Sequence, residues 1–106
     1  MGFEDDQVLN KTQSFLNLLK QGGIDVSEAY LFGSALKGYA DSDSDIDVAV
    51  VSKDFQGLPY YDIKKISKYR RKIDLRLEIH TFQLSEIETD PSSFFMKIKK
   101  DGKRIL

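Results

Sequence analysis

The chain has 106 residues, a formal net charge of −1, 41% hydrophobic and 31% charged residues, and no cysteine. That length suits one compact domain over residues 1–106, with a single core and a thin stability margin. Lack of cysteine excludes disulfides, thiolate metal sites and cysteine nucleophiles, and the near-neutral charge means that a polyanion would need a local basic patch. No apolar run approaches the roughly 20 residues that cross a bilayer. The acidic stretch Met1–Asp6 does not read as a secretory signal, so a cytoplasmic protein is expected.

The first element reads as a helix, because Val8, Thr12, Phe15, Leu16 and Leu19 recur at three- and four-residue spacing and share one face. Gly22 and Gly23 end it. Ala29–Phe32 is a short apolar run with the look of a buried strand, and Ser34 is placed to open a short helix through about Lys37. A polar stretch from Gly38 to Ser44 leads into a second strand, Ile46–Val51. Pro59 suits the first turn of a helix running to about Arg71, with Tyr60, Ile63 and Ile66 expected to face inward. From Lys72 to Thr81, Ile73, Leu75, Leu77 and Ile79 alternate with Asp74, Arg76, Glu78 and His80, which predicts a strand with one apolar face. Pro91 and Ser92 open a last helix with Phe94, Phe95 and Ile98 as core contacts, and Gly102 closes it. The series of alternating helices and strands predicts an α/β (α+β) sandwich with helices packed on a short sheet.

Chemistry concentrates between Leu31 and Val51. Asp45 and Asp47 lie two apart at the start of a strand, so both carboxylates project to one side while Ile46 and Val48 point into the core. Two neighbouring carboxylates repel unless a cation lies between them, and hard oxygen donors suit magnesium, which is commonly completed by substrate phosphates. Gly33 allows close backbone approach to a ligand. The helix expected after it would turn free N–H groups and a positive dipole end toward phosphate, with the Ser34 hydroxyl as a further donor. Lys37 either adds positive charge there or is an ordinary surface lysine. Metal on one side and amide donors on the other would leave the α-phosphorus of a triphosphate open to attack, with two ions serving the entering and leaving oxygens.

The run Gly33-Ser34, three residues, Gly38, five residues, Ser44-Asp45-Ile46-Asp47 resembles the signature of the DNA polymerase β-type nucleotidyltransferase superfamily, and in particular its minimal nucleotidyltransferases. The resemblance implies a nucleotidyltransferase fold with a short mixed sheet, two Mg2+ ions, and ATP or another nucleoside triphosphate as substrate. It also implies a third carboxylate on a neighbouring strand, one that binds the catalytic metal and accepts a proton. Asp74, flanked by Ile73 and Leu75, matches the family's hydrophobic-Asp-hydrophobic pattern and is preferred. Glu78 has the same parity and similar neighbours and is the alternative. The family further implies transfer of a nucleoside monophosphate to an acceptor hydroxyl. Minimal members are commonly paired, as antitoxins, with a helical HEPN-type protein, and some adenylylate a tyrosine on that partner; the resemblance implies such a role here.

Blander readings stand beside these. Asp41 and Asp43 fit a solvated turn, whereas Asp47 lies inside an apolar strand, where an unpaired carboxylate is costly. The basic residues Lys64, Lys65, Lys68, Arg70, Arg71 and Lys72 read as a solvated helix face, and no nucleic-acid groove follows from them. Arg76 is expected to neutralise Asp74 or Glu78, and His80 to be a strand-end surface or hydrogen-bonding residue rather than a metal ligand. The rival functional class is a binding module that keeps the fold and masks a partner protein with little or no turnover.

Overall fold

The computed structural model describes residues 3–33 and 45–106, the side chains of residues 3–6 excepted. The short helix expected after Ser34, with Lys37 and Gly38, lies outside the described residues. In chain order the elements are helix α1 (Phe3–Gln21), strands β1 (Val26–Phe32) and β2 (Ile46–Ser52), helix α2 (Pro59–Ile73), strand β3 (Leu77–Gln83), helices α3 (Leu84–Thr89) and α4 (Ser93–Asp101), and the two-residue strand β4 (Lys103–Arg104). The sheet order is β3-β2-β1-β4. β1 runs antiparallel to β2 and to β4, and β2 runs parallel to β3. A parallel pair needs a crossover, and α2 supplies it. The sheet is therefore mixed and the fold α+β, as expected from the sequence.

Strand parity divides the side chains between two cores. Ala29, Leu31, Ile46, Val48, Val50, Leu77 and Ile79 point to the face covered by α1 and α2, where they meet Phe15, Leu16, Leu19 and Ile66. Tyr30, Ala49 and Val51 point the other way and meet Phe95 and Ile98 of α4. Burying a side chain of this size contributes about 1.5–3 kcal/mol. The residues chosen from the period of α1, Val8, Thr12, Phe15, Leu16 and Leu19, are all buried, and the Thr12 hydroxyl donates to the Val8 carbonyl at 2.8 Å.

The region between α2 and β3 differs from the sequence expectation. α2 continues through Ile73, Asp74 is its C-terminal cap, and β3 begins only at Leu77. The alternation from Lys72 onward therefore joins the end of a helix to a strand. The physical reason is the Asp74 carboxylate, which accepts the Arg76 N–H at 2.8 Å and holds a turn where an extended chain was expected. Leu75, in that turn, is exposed. Tyr60 is also exposed, whereas Ile63 is half-buried and Ile66 buried. Phe94 is 48% exposed while Phe95 and Ile98 fill the core. The short elements α3 and β4 have no counterpart in the sequence reading. β4 depends on Gly102, where a Cβ would meet the carbonyl oxygens of Ile98 at 2.6 Å and Leu31 at 2.8 Å. A bare Cα lets the chain leave α4 directly onto the edge of β1.

A buried carboxylate fastens the start of α2. Asp62 is 2% exposed and accepts the Gln56 and Gly57 N–H groups at 2.8 and 3.0 Å, tying the incoming loop to the helix. Replacing Asp62 by Ala leaves both donors unpaired, and urea denaturation is expected to show a loss of about 1.5–3 kcal/mol. An unchanged midpoint would remove this carboxylate from the forces that hold the loop.

Candidate active site

The site is built on the face of the sheet that α4 only partly covers. In the parallel register Asp47 lies beside Glu78, and Ala49 beside His80. Neighbours in register share a face, and so do residues two apart on one strand. Asp47, Glu78 and His80 are thus brought together, with one donor atom from each within 4.8 Å of the others. The ladder is pinned just upstream by the Ile46 N–H, which donates to the Arg76 carbonyl at 2.8 Å.

Phe32 pairs with Asp47 across the antiparallel side, and its ring centroid lies 5.0 Å from that of His80. Phe94 approaches the same imidazole at 5.6 Å. These two rings hold the His80 side chain, whose Nε2 lies 3.4 Å from Asp47 Oδ1. Gly33 closes the other side. Its φ of +79° belongs to the left-handed region, and a Cβ there would strike the Asp47 carboxylate. The sequence reading asked for a small residue at this point, and the geometry supplies two reasons for it.

Two carboxylates about 4–5 Å apart repel by roughly 3–4 kcal/mol at an effective dielectric of about 20. Water screens part of this at exposed Glu78, but Asp47 is only 25% exposed. A divalent cation removes the repulsion, and two carboxylates with one imidazole form a chemically sound donor set for one. The residues present therefore fit a metal ion.

Not all the expected site residues join this cluster. Asp45 is exposed, one residue ahead of β2, and lines a cavity of about 310 Å³ that it shares with Glu78, Arg76 and Arg70. Ser34 and Lys37 fall outside the described residues. Asp74, the preferred third acid, lies at the end of α2 and is engaged elsewhere. It accepts Lys11 Nζ at 2.7 Å and Arg76 Nη2 at 2.9 Å. The Arg76 hydrogen bond, ahead of those from Lys11 and the backbone, holds its carboxyl well below the usual carboxylate range. Arg76 thus neutralises Asp74, one of the two partners expected for it. Of the two acids the sequence left open, Glu78 is the one beside Asp47. The sequence reading gave His80 a surface or hydrogen-bonding role. Its shared parity with Glu78 was the available signal for more.

A family profile described as "Polymerase beta, Nucleotidyltransferase" matches residues 10–106. Among solved structures, a Sulfolobus solfataricus protein described as a nucleotidyltransferase superposes with a TM-score of 0.64 at 18% identity, over 97% of this chain and 81% of its own. That likeness is one of fold. No curated protein matches the chain.

Asp74 and Glu78 should separate cleanly in experiment. Because the folded Asp74 carboxyl is held low, the stability it contributes is complete above the ordinary aspartate value near 4 and is lost as pH falls below it. Asp74→Asn is expected to lower stability at pH 7 by about 1–3 kcal/mol and to flatten the acid limb of a melting-temperature profile, with metal affinity unchanged. Glu78→Gln is expected to leave that limb intact and weaken metal binding. The opposite assignment of effects would return the third-acid role to Asp74.

Proposed function

This chain belongs to the polymerase β nucleotidyltransferase family, and from that premise we propose that it transfers a nucleoside monophosphate, AMP in the first instance, from a nucleoside triphosphate to an acceptor hydroxyl. The observation that carries this reading is the in-register placement of Asp47 beside Glu78, with His80 in reach. Asp45, Asp47 and Glu78 are the acids we assign to holding divalent metal. When bound, the metal supplies charge neutralisation for the triphosphate and the leaving pyrophosphate.

The protein's own groups have definable tasks. Gly33 keeps the backbone close to the Asp47 carboxylate, and Ser34 and Lys37 are assigned to the phosphates. Glu78 is the residue we assign to accepting the proton of the acceptor hydroxyl. As the acceptor oxygen bonds to the α-phosphorus, the bond from that phosphorus to the bridging oxygen breaks and pyrophosphate departs. Positioning and electrostatics carry most of the acceleration in such a reaction. A cavity lined by Asp45, Glu78, Arg70 and Arg76 adjoins these acids.

The acceptor we favour is a tyrosine hydroxyl on a HEPN-type partner, with this chain acting as an antitoxin in the cytoplasm. Support for a protein partner comes from Leu58, Tyr60 and Tyr61, which stand together and exposed at the start of α2. Among the described residues no helix is long and apolar enough to cross a membrane. In the alternative reading the same apolar patch masks a partner without turnover.

Incubation with α-labelled ATP, divalent metal and the product of the neighbouring gene separates the two. The enzyme reading expects label on the partner, and Asp47→Asn to reduce transfer at least about a hundredfold. A tight complex that gains no label and is indifferent to Asp47→Asn would establish the binding module instead.

A further inference from the structure

We propose that His80 is itself a metal ligand, and that the site consequently selects a first-row transition ion such as Mn2+ over Mg2+. This rests on the reading of the acids as a metal centre and goes beyond it by naming a donor and an ion class.

The separation of His80 Nε2 from Asp47 Oδ1, 3.4 Å, is the first ground. An N–H···O bond prefers 2.7–3.2 Å, so the pair is loose for a hydrogen bond. Two donors each about 2.1 Å from one ion sit roughly 3–4 Å apart, and the pair has that spacing. A Glu78 carboxylate oxygen lies within 4.8 Å of both, near enough for a small side-chain rotation to bring it to the same ion. Packing is the second ground. Phe32 and Phe94 flank the imidazole at 5.0 and 5.6 Å between centroids. Such packing restricts ring rotation and lowers the entropic cost of presenting one nitrogen to an ion.

Ligand chemistry then sets the preference. Mg2+ favours oxygen donors and its own waters, while imidazole nitrogen binds transition ions well. Replacing one oxygen of the inner set by nitrogen penalises Mg2+ relative to Mn2+. His80 sits two residues after Glu78 on β3, and the parallel register alone brings it onto the Asp47 side.

The chain contains one histidine, so 15N-histidine labels His80 and nothing else once any affinity tag is removed. Pulsed electron paramagnetic resonance of the protein with Mn2+ alone is expected to show modulation from a directly bound nitrogen, changed in kind by 15N-histidine labelling. His80→Gln should abolish the signal and weaken Mn2+ binding about tenfold or more, with a smaller loss for Mg2+. Mn2+ bound at Asp47 without nitrogen modulation would overturn the ligand assignment and leave the proposed reaction standing. Failure of Mn2+ to bind the wild-type chain, with or without a non-hydrolysable ATP analogue, would overturn both. The wild-type spectrum decides the matter even if the variant does not fold.

Discussion

Parallel pairing of β2 with β3 holds Asp47 beside Glu78, and the proposed chemistry depends on that enforced proximity. Register cannot slip by one residue without turning Ile46, Val48, Leu77 and Ile79 out of the core formed with α1 and α2. The hydrophobic effect on one face thus fixes like charges together on the other. The strain of that arrangement is small against the burial that imposes it, and a cation relieves it. A site assembled this way needs no dedicated scaffold beyond four strands and the crossover helix.

The two candidate third acids show how environment divides similar side chains between structure and chemistry. Asp74 and Glu78 are four residues apart in a stretch of mixed charge. Asp74 is satisfied by Lys11, Arg76 and a backbone N–H, so it has little capacity left for a ligand and instead ends a helix. Glu78 is exposed and projects beside another carboxylate. The first arrangement stabilises the fold; the second leaves a charge to be met from outside.

Much of the fold and part of the site are legible in the sequence. The period of α1, the apolar parity of β2 and the acid within it follow from local rules. Asp47 stands out as a candidate site residue because a carboxylate set into a buried strand is costly unless a partner or a ligand meets its charge. The start of β3 is not legible. Ile73 and Leu75 continue the alternation of Leu77 and Ile79, so a period-two pattern runs unbroken through the end of a helix and a turn. The turn held by the Asp74 carboxylate on the Arg76 N–H distinguishes the two halves, and Lys11, sixty-three residues away, is a further partner of that carboxylate. His80 is hidden for a related reason. Its neighbours in space, Phe32, Asp47 and Phe94, come from three other elements, and no spacing along the chain encodes their meeting. The exposure of Phe94 is likewise set by where α4 crosses the sheet.

Soaking crystals of the protein in Mn2+ and measuring anomalous diffraction puts the central claim at greatest risk. The account expects one strong anomalous peak between the Asp47 and Glu78 carboxylates, on the face shared with Phe32. A peak at Asp74, or ordered crystals with none near Asp47 at saturating metal, would contradict it.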